Sequence, residues 1–266
     1  MKQYITQLFL KSCYADNIQR TTEEESLSVI NGKTVALVMP CRNESGHLAQ
    51  FISDIPDFFD EIICVSNKST DDTVAIGQQL ATRHPRLKFM EDNRVANGIG
   101  YGYAHMTGMK AASSDYIVCA DSDGTYPVED TPSLLQTMNQ RHLRFVSCSR
   151  YPDKQIPIKL QLGVKILNLE IAVLYGFIIH DSLSGMWIFE REIIPQLRLT
   201  EGDWNLSPQI KLNARRALKS QFAELKIVQK IRQGETKQNY FDTGFRHLCW
   251  IAKNRFVQRR GVQSPD

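Results

Sequence analysis

Asp115-Tyr-Ile-Val-Cys-Ala-Asp-Ser-Asp123 decides the reading of this chain. Asp115 to Ala120 is a short, mostly apolar run of the kind that forms a strand buried on both faces. It runs straight into Asp121 and Asp123, two carboxylates one residue apart. As the chain leaves the strand, both can turn toward a single hard cation, Mg²⁺ or Mn²⁺, bridged to phosphate oxygens. The same letters also spell a plain Asp-Ser-Asp-Gly turn. Gly124 favours close approach of a ligand. A calcium loop of the EF-hand type is excluded, because Pro132 stands where its bidentate Glu must be.

Similar runs lie on either side. Val35-Ala-Leu-Val-Met39, Glu61-Ile-Ile-Cys-Val65 and Leu87 to Met90 read as strands, as do Phe145 to Cys148, Met186 to Phe189 and Phe222 to Val228. Helical spacing fills the gaps: Ser45 to Phe58, about Asp72 to Thr82 with Ser69 and Asp72 as caps, the end of Gly98 to Ala112, Glu129 to Gln140, and Ser207 to Leu218. Alternating strands and helices predict an α/β fold with a mostly parallel sheet flanked by helices. Ligands of such sheets sit beyond the carboxyl ends of the strands. That rule places Pro40–Glu44, Ser66–Asp71 and Asp121–Asp123 on one rim. Leu160 to Ile179 is apolar nearly all round and is read as core, with a face lying in a membrane interface as the alternative.

Other motifs are weaker alone. Gly98-Ile-Gly-Tyr-Gly102 fails as a dinucleotide fingerprint, since Tyr103 takes the sixth position and the segment follows the third strand. Gly98 and Gly100 could admit a ligand to the backbone, or serve a tight helix–sheet contact. Arg150, Arg232 and Lys237 suit phosphate or surface ion pairs. Asp181-Ser-Leu-Ser-Gly185 reads as a helix end and turn, or as a carboxylate near a reacting centre.

The bulk numbers set limits. The chain has 266 residues, enough for one large α/β domain. A net charge of +3 gives no reason to expect nucleic acid. Thr243 to Pro265 lacks acids but holds Arg246, Lys253, Arg255, Arg259 and Arg260, which suits either an anionic membrane surface or a solvated helix end. The six cysteines form no C-x-x-C pair, and Cys64, Cys119 and Cys148 read as buried strand residues of a reduced protein. No signal peptide is visible, and no stretch reaches the roughly 18 apolar residues of a membrane span. The expected location is the cytoplasm, with peripheral contact at the inner membrane face. Residues 1–32 are expected to be an extension, 33–240 the main domain, and 241–266 a basic amphipathic helix and tail.

Taken together, Met39-Pro-Cys-Arg-Asn-Glu44, Ser66-Asn-Lys-Ser-Thr-Asp71, Asn97-Gly-Ile-Gly-Tyr-Gly102, Asp121-Ser-Asp123 with Tyr126-Pro127, Ser149-Arg-Tyr151, Asp181-Ser-Leu-Ser-Gly185 and Arg232-Gln-Gly-Glu-Thr-Lys237 resemble family 2 glycosyltransferases of the GT-A fold. Among these the chain is most similar to polyprenyl-phosphate sugar synthases of the dolichyl-phosphate mannose synthase type. The resemblance covers about residues 33 to 240. It implies a nucleotide-sugar donor, with Pro40, Asn43 and Glu44 lining the nucleotide pocket and Asn67 and Asp71 holding base and ribose. Asp121 and Asp123 would bind the metal on the donor diphosphate. Arg150, Arg232 and Lys237 would hold an acceptor phosphate or the diphosphate, and Asp181 would lie near the reacting carbon. Ser66 and Asn67 stand where the family often has two acids, and Thr125 where it often has Gln.

The implied reaction inverts the anomeric carbon. A polyprenyl phosphate acceptor is already an anion and requires no strong base. A soluble or polysaccharide hydroxyl would require one, for which Asp181 is the candidate. A non-catalytic nucleotide-sugar binding protein is the other reading.

Overall fold

A computed structural model describes residues 32–150, 158–230 and 240–260. The central strand β1 is Val35–Cys41, whose side chains are buried on both faces at all positions except Pro40. It pairs in parallel with β2 (Glu61–Ser66) on one side and β4 (Tyr116–Cys119) on the other. β3 (Leu87–Glu91) continues the parallel set beyond β2. β6 (Trp187–Glu190) runs antiparallel between β4 and β5 (Phe145–Ser149), and β7 (Phe222–Lys226) closes the far edge parallel to β5. The order is β3-β2-β1-β4-β6-β5-β7. The sheet is mostly parallel, as expected, with β6 as the exception.

Alternate residues of each strand feed two cores. Val35, Leu37, Met39, Val118 and Ile188 meet helices α1 (Leu48–Ser53), α2 (Thr73–Arg83) and α4 (Thr131–Gln140). Ala36, Val38, Ile117, Trp187 and Phe189 meet α3 (Tyr101–Ala111), α5 (Ile158–Tyr175), α6 (Ile194–Leu197), α7 (Leu206–Leu218) and α8 (Tyr240–Arg260). Cys64, Cys119 and Cys148 are buried strand residues, as read.

Three expectations change in detail. The helix expected over Ser45–Phe58 is only Leu48–Ser53, and Pro56 cannot supply the N–H that a continuing helix needs. Neither Ser69 nor Asp72 caps α2; Asp71 instead accepts hydrogen bonds from the Thr73 N–H (3.1 Å) and hydroxyl (2.5 Å). The apolar helix α5 is core only along Val164, Leu167 and Ile171.

His105 on α3 is fully buried against Tyr101 and Trp187, and neither ring nitrogen has a hydrogen-bond partner among the described residues. Burial pushes its imidazole down to about 3. The unfolded chain, titrating near 6.5, therefore binds the proton first, and stability falls as the pH drops below that value. His105→Leu removes this loss. Its stability relative to the parent is expected to improve by about 2 kcal/mol between pH 8 and pH 5. Urea melts at the two pH values measure it, and an unchanged difference would refute it.

Candidate active site

The carboxyl ends of β1, β2, β4 and β5 form a rim, joined by the start of β6. At β1, Asn43 turns through a left-handed conformation (φ 55°) that Asn tolerates well. Its backbone N–H donates to the Ser69 hydroxyl (3.2 Å), and its side-chain oxygen accepts from Thr70 N–H (2.8 Å). The N–H of Glu44 donates to Thr73 Oγ1 (2.8 Å) and that of Ser45 to Asp71 (3.2 Å). Slight desolvation of Asp71 is outweighed by the hydrogen bonds from Thr73 and Ser45, which hold its carboxyl at about 2. Asn43, Glu44 and Asp71 thus clasp two loops into one wall. Ser122 donates to the Pro40 carbonyl (2.9 Å) and fixes the end of β4 to that of β1.

Asn67 is buried at the end of β2 and donates to the carbonyls of Asp92 (2.5 Å) and Arg94 (3.0 Å). A side chain on Gly100 would collide with Asn67 and with the Arg94 carbonyl, so Gly100 serves close backbone packing. Gly98 has a different task. Ala96 and Ile99 exchange backbone hydrogen bonds around Asn97 and Gly98, both at positive φ, which is a tight turn of the Asn-Gly kind. A Cβ on Gly98 would meet nothing within 4 Å.

Asp121 and Asp123 are half-buried beyond β4. Asp123 accepts from the N–H (3.1 Å) and hydroxyl (2.6 Å) of Thr125. Asp121 is hydrogen-bonded to Tyr101. Burial pushes this phenol well above its usual range, and the neighbouring Asp121 charge adds to the shift. Gly185, just before β6, faces the same carboxylate. A Cβ there would lie 3.3 and 3.4 Å from the Asp121 oxygens and 2.7 Å from the Tyr101 oxygen. The N–H of Gly185 donates to the Tyr126 hydroxyl (2.7 Å).

Four residues earlier in the same loop, Asp181 is fully buried and grips Arg150. Arg150 Nε donates to Oδ2 (2.8 Å), a terminal guanidinium nitrogen to Oδ1 (2.9 Å), and the Arg150 backbone N–H to Oδ2 (3.0 Å). Burial alone would raise the Asp181 carboxyl, but the Arg150 charge and hydrogen bonds bring it below its ordinary value. A carboxylate held this way is a weak proton acceptor. Its geometry suits positioning Arg150, not the base role considered for a hydroxyl acceptor. Loop 181–185 therefore joins the Arg150 cation to the Asp121 carboxylate. Arg232 and Lys237 lie outside the described residues; the chain enters their segment beside the rim, where Lys230 N–H donates to the Thr125 carbonyl (2.9 Å).

Sequence reading missed Lys211 on α7. It is fully buried, and its ammonium donates to the carbonyls of Asp181 (2.8 Å) and Ser184 (2.7 Å). Burial pushes it down to about 7 against the opposing pull of Asp181. Glu224 was also missed; it accepts from the N–H of His180 (2.7 Å) and of Asp181 (3.1 Å). One signal for Lys211 was available. It shares a helical stripe with Ser207, Ala214 and Leu218, where small and apolar neighbours mark a buried face.

Residues 36–198 match the family model described as Glycosyl transferase family 2. A low-salt glycan biosynthesis hexosyltransferase, Agl6, of Haloferax volcanii is 26% identical over 252 residues; the match covers 90% of this chain and spans 59% of that relative's length. A dolichyl-phosphate hexose transferase of the same organism is 28% identical over 216 residues, covering 79% of this chain and 89% of the relative. The crystal structure of glucosyl-3-phosphoglycerate synthase from Mycobacterium tuberculosis, in complex with Mn²⁺, UDP-glucose and phosphoglyceric acid, superposes with a TM-score of 0.70 at 19% identity, covering 92% of this chain and 87% of the other. The architecture is that of the GT-A fold.

Proposed function

Because the chain belongs to glycosyl transferase family 2, we propose that it moves a sugar from a nucleotide-sugar donor to a polyprenyl phosphate at the inner face of a membrane. The observation that carries this reading is loop 181–185, which holds Arg150 through Asp181 and meets Asp121 through Gly185. A transfer between two phosphate-bearing molecules requires two anion-handling groups side by side, and one short loop fixes their relation here. The dolichyl-phosphate hexose transferase relative supports a lipid-phosphate acceptor.

Asp121 and Asp123 suit Mg²⁺ or Mn²⁺. Both offer hard oxygen, and the bare Gly185 leaves room at Asp121 that a Cβ would fill. Among the described residues no three metal-ligating side chains gather, so the remaining oxygens of the shell would come from diphosphate and water. When bound, such an ion supplies Lewis-acid neutralisation of the leaving nucleoside diphosphate. The chain's own residues do the rest. The Asn43–Asp71 clasp walls the nucleotide side of the site. Arg150 orients the acceptor phosphate, which attacks as an anion without a base. Lys211 fixes the loop by its backbone. Burial around Asp181 limits water near the reacting centre.

Nucleoside diphosphate release tests the reading. The protein is incubated with UDP- and GDP-sugars and Mn²⁺, with polyprenyl phosphate, phosphoglyceric acid or no acceptor. Release that depends on the lipid phosphate is the expected result. Release with phosphoglyceric acid alone would reassign the acceptor, and no release with any donor would sink the enzymatic reading.

A further inference from the structure

Helices α5 and α8 carry an outer face that no described element covers. Along α5 the exposed apolar residues are Ile158, Leu162, Ile166, Leu169 and Val173, a single stripe at helical spacing. Along α8 they are Phe241, 85% exposed, Phe245, 67% exposed, and Phe256. The inner sides are anchored: Val164, Leu167, Ile171 and Ile251 are buried. The Tyr175 hydroxyl donates to the Ile251 carbonyl (2.9 Å), and Arg255 Nε to the Leu174 carbonyl (2.6 Å). Both stripes therefore lie on the outside of one joined helix pair.

Cations border them. Lys159 and Lys165 are exposed on α5, and Arg246 and Lys253 on α8. The acid at these exposed positions is Asp242, itself paired with Arg246 at 2.8 Å. Glu170, on the flank, is half-buried. Large exposed apolar patches mark interaction surfaces, and a mixture of Phe, Leu and Ile with Lys and Arg is the chemistry of a helix lying in a lipid interface. A second copy of this chain fits poorly, because a self-complementary contact would bring together two faces whose borders carry charge of the same sign.

We propose that the outer face of the α5–α8 pair lies in the headgroup layer of an anionic bilayer, with its apolar side chains at the acyl boundary and its cations on lipid phosphates. This deepens the lipid-acceptor reading and rests on it for its purpose. The link to the site is direct. Asn168 on α5 donates to the His180 carbonyl (2.6 Å) and accepts from the Ser182 N–H (3.2 Å), so a helix seated in lipid is tied to the loop that holds Arg150.

Flotation of the full chain with vesicles tests it, comparing pure phosphatidylcholine with phosphatidylcholine containing phosphatidylglycerol. Binding to the anionic vesicles is expected. Lys159→Ala with Lys165→Ala should weaken partition by about 30-fold, and Phe241→Ser with Phe245→Ser by about tenfold or more. Both variants should retain turnover on a short-chain, water-soluble prenyl phosphate without vesicles. A wild-type chain that stays in solution with anionic vesicles at low salt overturns the proposal. So does a dimer in sedimentation velocity that these variants dissociate without changing vesicle binding. Vesicle binding that the variants weaken, in a protein inert toward every prenyl phosphate, supports docking and sinks the acceptor reading instead.

Discussion

Asp121→Asn is expected to cut sugar transfer by about a thousand-fold while leaving the melting temperature unchanged or slightly raised. The loss follows from the proposed task of Asp121. An amide keeps its shape but supplies no anion to a divalent cation, so charge on the leaving diphosphate goes unneutralised. The stability result follows from the surroundings. The Asp121 charge is half-buried, and it adds to the upward shift that burial imposes on the Tyr101 phenol. An asparagine oxygen can still accept from the neutral Tyr101 hydroxyl, and the substitution removes a half-buried charge, a pattern common where function opposes stability. Nucleoside diphosphate release gives the first quantity, thermal melts the second, and calorimetric titration of donor in the presence of Mn²⁺ shows whether metal-dependent binding is lost. An Asp121→Asn protein with near-parental turnover would remove Asp121 from the proposed metal pair.

Asp181→Ala is expected to destabilise the chain by about 3–5 kcal/mol, the usual result of stripping one partner from a buried ion pair. Arg150 and Lys211 would then face each other without the carboxylate between them, and the Arg150 N–H would lose its acceptor. The paired change Asp181→Leu with Arg150→Met should recover most of that stability, since an apolar pair removes both charges. It should not recover turnover if Arg150 orients the acceptor. A positioning role and a merely structural one therefore part company in the double variant: regained stability with regained activity would sink the role given to Arg150. The pair also sets an acid limit. Because the folded state holds the Asp181 carboxyl below its ordinary value, its contribution is fully present above the unfolded value near 3.8 and is lost as the pH falls through the lower folded one. Urea melts across pH 2 to 7 measure this loss, which the double variant should lack.

Much of this was readable from single residues. Continuous runs such as Val35–Met39 and Tyr116–Ala120 announce strands buried on both faces, and Asp121 and Asp123 announce themselves by ending one. The direction of β6 was not readable, because Trp187-Ile-Phe-Glu190 has the same alternation whichever way it runs. Gly98 looked like a ligand-facing glycine, although the Asn-Gly pair at 97–98 already spelled a tight turn. Lys211 was hidden by its type: a lysine in a helix reads as solvated even when it shares an apolar stripe, and the carbonyls that hold its ammonium come from a loop nearly thirty residues away. The exposed face of α5 was legible only as the alternative to core, because a helix apolar nearly all round does not say which side is covered.

The reversal of β6 has a consequence for how the chain is made. Strands β1 to β4 and their helices are complete once Gln140 has been synthesised, and by then the backbone turn bearing Asp121 and Asp123 can already form. Asp181 and Gly185 follow later, and their loop is placed only when Trp187–Glu190 slides in against Tyr116–Cys119. Such pairing between distant segments is a slow event in folding. On a ribosome, Asp121 and Asp123 are thus made before Arg150 has its partner. Until that antiparallel strand docks, loop 181–185 cannot join Arg150 to the Asp121 side of the rim, so the two halves of the site come together last.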